Sequence, residues 1–251
     1  MCRHLAYLGP EIPFGQVVLA PPYGLYRQSW APRLQQHGTV NADGFGVGWY
    51  AAGDPVPARY RRAGPIWADD QLPDLARVVR TGALLAAVRD ATVAGADAEA
   101  AAAPFATGRY LFSHNGAVAG WPDTMAELAA GLPAAELLRL AARSDTAFLW
   151  ALVHHRLAAG DDPGRALAAT VEEVAAAAPG SRLNLLLTDG TTIAATTWGD
   201  TLFHLALPDG GRVVASEPYD ESPHWTEVPE STLLCATRTE VRLTPLKEPA
   251  T

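Results

Sequence analysis

The chain has 251 residues, 49% of them hydrophobic and 18% charged, which is enough for one large core or two small ones. Its net charge of −8 argues against a nucleic-acid partner. No apolar run approaches the roughly 20 residues a membrane helix needs, and Pro10 and Glu11 interrupt any signal-peptide core, so no membrane association and a cytosolic location are expected.

The chain opens MCRHLAYLGP, with a strand expected over 3–8. Cys2 is one of only two cysteines. Chain ends fray unless tied into the fold, so a structural thiol is poorly placed there. Removal of Met1 is usual when residue 2 is small. It would leave Cys2 with both a thiol, pKa about 8.5, and an α-amine, pKa about 7.7–8.0. A nucleophile and a base then share one residue. The plain alternative is a small residue that happens to follow Met.

NADGFGVGWY (41–50) reads as a turn entering a strand over 45–51. Gly44, Gly46 and Gly48 alternate and bare one face, allowing close approach of another backbone or of a ligand. The spacing is not a dinucleotide fingerprint, and Lys247 as sole lysine excludes a Walker loop. Residues 53–65 read as loop. A strand over 83–89 ends at Arg89, whose guanidinium can clamp a carboxylate bidentately or simply pair with Asp90. The alanine-rich stretch 94–108 reads as loop or weak helix. The next strand, 109–113, runs into His114-Asn115-Gly116. The Asn115 amide and the Gly116 N–H suit a developing oxyanion, or else form an Asn-Gly turn. His114 is expected to be structural.

Helices are expected over 123–131, 134–142, 145–159 and 163–178. Thr124 and Glu127 are spaced as a capping box, and Asp162-Pro163 marks a helix start. Asp145 can hold an ammonium group or serve its helix end. Strands follow at 182–188, 191–197, 201–207, 212–216 and 232–236. The first three read as two hairpins, turning at Asp189-Gly190 and Gly199-Asp200. Cys235 lies in an apolar strand and reads as a buried, inert thiol; a bridge to Cys2 is disfavoured in a reducing compartment. No spacing fits a metal site, and no cofactor is expected. Strands at both ends with helices between them imply an α+β layered fold. A single domain over 2–251 is expected, with a short flexible tail from about 243.

In this order the motifs are specific: Cys2-Arg3, Asn41-Ala42-Asp43-Gly44-Phe45-Gly46, Arg89 with Ala91-Thr92, His114-Asn115-Gly116 and Ser144-Asp145-Thr146. Together they resemble the class II glutamine amidotransferase family. The resemblance implies the N-terminal nucleophile hydrolase fold, a four-layer αββα sandwich with two mainly antiparallel sheets. It also implies roles. Cys2 is the nucleophile and its freed α-amine the base, after maturation by methionine aminopeptidase. Asn115 and Gly116 form the oxyanion hole. Arg89, helped by Thr92, takes the α-carboxylate of a γ-glutamyl group, and Asp145 its α-ammonium. One departure is Ala94, an extra residue before Gly95 that puts the Thr92 contact in doubt.

The runs PPYGLYRQSWAP, ATTWGDTL and VVASEPYDE further resemble the stand-alone hydrolase branch of that family that serves ergothioneine synthesis. This implies a small-molecule γ-glutamyl substrate whose other end is a trimethylammonium betaine. Trp49, Trp198, Tyr219, Asp220, Glu221 and Trp225 are candidates for that end, by cation–π and charge attraction. A glutaminase subunit feeding ammonia to a separate synthase, and an inactive binding domain, are the alternatives. Oligomeric state is left open.

Overall fold

The computed structural model describes residues 2–91 and 99–247. In chain order the elements are β1 (Arg3–Pro13), α1 (Gly15–Val18), α2 (Leu25–Gln28), β2 (Phe45–Trp49), β3 (Ala58–Arg62), α3 (Leu72–Val78) and β4 (Arg80–Val88). Then come β5 (Phe105–Thr107), β6 (Tyr110–Ala117), α4 (Ala126–Ala130), α5 (Ala134–Leu137), α6 (Asp145–Ala158) and α7 (Pro163–Ala177). The chain closes with β7 (Arg182–Thr188), β8 (Ile193–Thr197), β9 (Phe203–Ala206), β10 (Arg212–Ala215), β11 (Thr226–Glu227), β12 (Thr232–Ala236) and β13 (Val241–Pro245).

The strands form two antiparallel sheets. A seven-stranded sheet has the order β11-β9-β10-β1-β4-β2-β3, and a six-stranded sheet the order β13-β12-β8-β7-β6-β5. Alternation along each strand sends successive side chains to opposite faces. Ala6, Leu8, Leu85, Leu111, Leu186 and Ala195 meet between the sheets. Leu5, Tyr7, Leu84 and Val213 turn outward under the short helices α1–α3, where Val17, Leu25 and Leu72 cover them. On the other side, Phe112, Leu185 and Leu187 pack against α6 and α7 through Phe148, Trp150, Leu167 and Val171. The result is the four-layer αββα arrangement.

Helix α6 starts where Ser144 accepts a hydrogen bond from the Ala147 N–H at 3.2 Å. Helix α7 starts where Asp162 accepts from Arg165 at 3.1 Å, with Pro163 in its first turn. Both match the expected starts. The Thr124–Glu127 capping box does not form. Thr124 instead donates to the Ala119 carbonyl at 2.7 Å, and the expected helix 123–131 divides into a 3-10 turn followed by α4. The helix expected over 134–142 stops at Leu137.

Four other expectations are corrected. Residues 53–65 are not all loop, since β3 takes the edge beside β2. Within 94–108, β5 forms against β6. The Gly199-Asp200 turn does not close a hairpin: β8 lies in the six-stranded sheet and β9 in the other, so the turn carries the chain between layers. The expected tail from 243 is structured through Lys247. Strand β13 pairs with β12 as far as Thr232–Pro245, and Leu246 is buried. An edge strand whose side chains face water has no apolar pattern to reveal it.

The bare face of β2 is filled by neighbouring backbone and side chains. A Cβ on Gly46 would run into the Ala103 carbonyl oxygen, and one on Gly48 into Leu111 and Pro104.

Candidate active site

Cys2 immediately precedes β1, whose Arg3 pairs with Val88 at the end of β4, beside Phe45 at the start of β2. Strand β6 ends nearby in the facing sheet. His4 and Ser113 bridge the two sheets, Nδ1 to Oγ, at 3.2 Å. This end of the sandwich therefore has polar side chains between the sheets.

The Cys2 nitrogen donates to Asn115 Oδ1 at 3.2 Å. Asn115 is wholly buried, and its Nδ2 has no partner among the described residues. An unpaired buried donor is costly, so it marks a group held for something else. Burial pushes the Cys2 thiol up, Arg89 and the Asp90 backbone N–H pull it back, and the Asp145 charge adds to the rise. Such a thiol is protonated at neutral pH and needs a base to react.

Gly116 follows with φ +156°, and a Cβ there would collide with the Arg182 carbonyl oxygen, so the position admits only glycine. His114 Nε2 lies 2.9 Å from that same carbonyl, and its Nδ1 lies 3.2 Å from Thr146 Oγ1. A carbonyl only accepts, which places the proton on Nε2 and makes Nδ1 the acceptor from Thr146. His114 thus staples β6 to β7 and α6, a structural role as expected.

Asp145 does not cap α6, because Ser144 does. Its carboxylate accepts from the Val118 N–H at 3.1 Å and from the Thr146 N–H at 2.7 Å. These bonds fix it at the mouth beyond β6, where its charge reaches Cys2. Arg89 is held by the Asn41–Gly44 run. Its Nη1 donates to the Asp43 carbonyl at 3.2 Å, its backbone N–H to Gly44 at 2.7 Å, and Asp43 Oδ2 accepts from Ala91 at 2.8 Å. Asp43 as the clamp on Arg89 was not foreseen; its signal was an Asp just before a glycine turn. Thr92 and Ala94 lie outside the described residues.

The candidates for the far end of the substrate divide between different layers of the fold. Trp49 is four residues along β2 from Phe45, about 13 Å from the Cys2 end, and stacks on Phe14 in the outer core. Trp198 packs with the α6–α7 side of its sheet. Tyr219 is core and meets Trp225 edge-on, and Trp225 Nε1 donates to Asp220 at 2.8 Å. Glu221 faces Arg33 on the surface at 3.6 Å. Aromatic residues and carboxylates near one another in sequence do not reveal which sheet end they occupy.

No protein-family model matches the chain. Curated relatives do. The chain is 44% identical over 246 residues to the gamma-glutamyl-hercynylcysteine sulfoxide hydrolase of Mycobacterium tuberculosis (strain CDC 1551 / Oshkosh), covering 98% of this chain and 97% of that protein. It belongs to this hydrolase family. The Mycolicibacterium smegmatis protein of the same name is 43% identical, with 98% of this chain and 100% of that protein covered. Among solved structures, a glutamine aminotransferase class-II domain protein from Silicibacter pomeroyi superposes with a TM-score of 0.71 and 26% identity over 98% of this chain and all of that one. The phosphoribosylpyrophosphate amidotransferase of Bacillus subtilis shares the fold, with a TM-score of 0.69 and 17% identity, but the match covers only 49% of that chain. The hydrolase family thus keeps the class II amidotransferase fold. Among the described residues, no helix is long and apolar enough to cross a membrane.

Proposed function

We propose that the chain hydrolyses the γ-glutamyl amide of γ-glutamyl-hercynylcysteine sulfoxide, yielding glutamate and hercynylcysteine sulfoxide. The observation that carries this reading is the Cys2 nitrogen seated on Asn115 Oδ1 at 3.2 Å, in a chain 44% identical to hydrolases of that name. In the encoded chain that nitrogen belongs to the Met1–Cys2 amide. Removal of Met1 by methionine aminopeptidase turns it into the α-amine and so supplies the base.

Asn115 Oδ1 then orients the amine, which takes the proton of the raised Cys2 thiol. The thiolate attacks the γ-carbonyl carbon. Charge develops on the carbonyl oxygen, for which Asn115 Nδ2 and the Gly116 N–H are the donors. The α-ammonium returns its proton to the leaving nitrogen, the C–N bond breaks, and a Cys2 glutamyl thioester remains. Water, deprotonated by the amine, releases glutamate. Arg89 takes the substrate α-carboxylate and Asp145 its α-ammonium, so the zwitterionic end is read by opposite charges, one just past β4 and one at the start of α6. No cofactor enters.

The test is glutamate release from the sulfoxide and, separately, from glutamine, with Cys2→Ala as control. Strong preference for the sulfoxide, lost in the control, is expected. Preference for glutamine would replace this reading with a glutaminase subunit. Release from neither, with Met1 shown absent by intact mass, would leave a binding domain.

A further inference from the structure

Arg3 follows the nucleophile directly, yet its side chain is 0% exposed and turned away from Cys2's face of the sheet. Its ion-pair partner among the described residues is Glu217, also 0% exposed, with Nε to Oε2 at 3.9 Å. Glu217 sits just past β10, on the strand beside β1, and Ser216 next to it accepts from the His4 N–H at 3.0 Å. Both Glu217 oxygens are further engaged, accepting the consecutive N–H groups of Arg33 and Leu34 at 3.0 and 2.9 Å. A buried carboxylate so gripped stays in place, while the three Arg3 guanidinium nitrogens make no hydrogen bond among the described residues and are held to Glu217 by charge alone. The mechanism above uses neither residue.

We propose that Arg3 and Glu217 are a buried charge pair of positioning residues that sets the pH at which the Cys2 amine works as base. The inference rests on the reading of Cys2 as an N-terminal nucleophile. A cation beside an amine disfavours its protonated form, and an anion favours it. Of this pair the cation is adjacent to Cys2 in the chain and the anion lies behind it. The guanidinium and Cys2 also feel each other electrostatically. Other charged groups face the same centre. Arg89 and Asp90 lie at the end of β4, and Asp145 at the start of α6. Behind it, Asp200 after β8 interacts with Arg3, Arg182, His37 and His114. These remain constant when only the Arg3–Glu217 pair is altered.

The test is the pH dependence of kcat/KM for glutamate release, in wild type, Arg3→Met and Glu217→Gln. Loss of activity towards acid reports protonation of the amine. Arg3→Met is expected to move that limb up by about one pH unit, and Glu217→Gln to move it down by a smaller amount. Alkylation of Cys2 by iodoacetamide against pH gives a second readout independent of turnover, and is expected to shift with the same signs. A merely structural pair would lower kcat in both variants with the limb unmoved, and that result overturns the proposal. If one single variant fails to fold, the other carries the test with the sign given for it, and Arg3→Lys, which keeps the cation, is expected to hold the limb at its wild-type position; no movement in the foldable charge-removing variant overturns the proposal. A wild type that releases no glutamate would instead overturn the parent reading, which separates the two failures.

Discussion

Asn115 offers opposite ends of one amide to the site: the oxygen receives the Cys2 nitrogen, and the nitrogen is buried and unpaired among the described residues. Asn115→Ala removes both. A fall in kcat of about 10²–10³-fold with little change in KM is expected in steady-state kinetics, the size usual for an oxyanion donor. His4, its buried neighbour, makes a different prediction. Burial first, then electrostatic interaction with His114 and Arg3, push it down to about 3 from the usual 6.5. The unfolded chain therefore binds this proton below pH 6.5 while the native protein refuses it. Stability is complete above pH 6.5 and falls as pH drops toward 3, by up to about 1.4 kcal/mol per pH unit from this group. Urea unfolding at pH 7.5 and 5.0 should show that loss, and His4→Gln should flatten the slope. At this scale Cys2, Arg89, Asn115, Gly116 and Asp145 were singled out only together, by their order and the family resemblance it carries, since each alone also fits a small residue after Met, a turn, a cap or a surface pair. Arg3, His4 and Glu217 were not, because nothing in a strand's sequence tells which charge the fold will bury.

Two helices pack side by side and start by the same device, yet only one start lies at the site. Ser144 caps α6 and so places Asp145, whereas Asp162 caps α7 beside an exposed turn. Each cap is worth about 1 kcal/mol. Ser144→Ala and Asp162→Ala should lower stability similarly in thermal melts, but only Ser144→Ala should also raise KM, by loosening the Asp145 carboxylate. The helix starts could be read from sequence because a cap is a local pattern, and both were. The short helices α1–α3 could not, since four to seven residues carry too little periodicity and form only where an outer sheet face needs covering. The second hairpin failed for the complementary reason. Gly199 has φ +87° and does turn the chain, but turn chemistry does not say which sheet the next strand joins.

At the scale of the whole molecule, the stacked sheets place the ends of β1 and β6 together, with the charges of Arg89 and Asp145 on either side. The α+β class followed from the block order of strands and helices, and the αββα layering from the resemblance to the class II amidotransferases. The register that brings His4 to Ser113 across the interior did not, because pairing between layers leaves no periodic trace. Strand β1 sits in the middle of its sheet, between β10 and β4, and pairs Leu5 with Ala215. During synthesis the ribosome delivers β1 first and β10 more than two hundred residues later. The strand that follows Cys2 therefore waits with one edge open for most of translation, with the amino end uncovered by its later neighbour. Only when the last third of the chain arrives does that edge close, and a nascent fragment carries its cysteine without the site that would make it an enzyme.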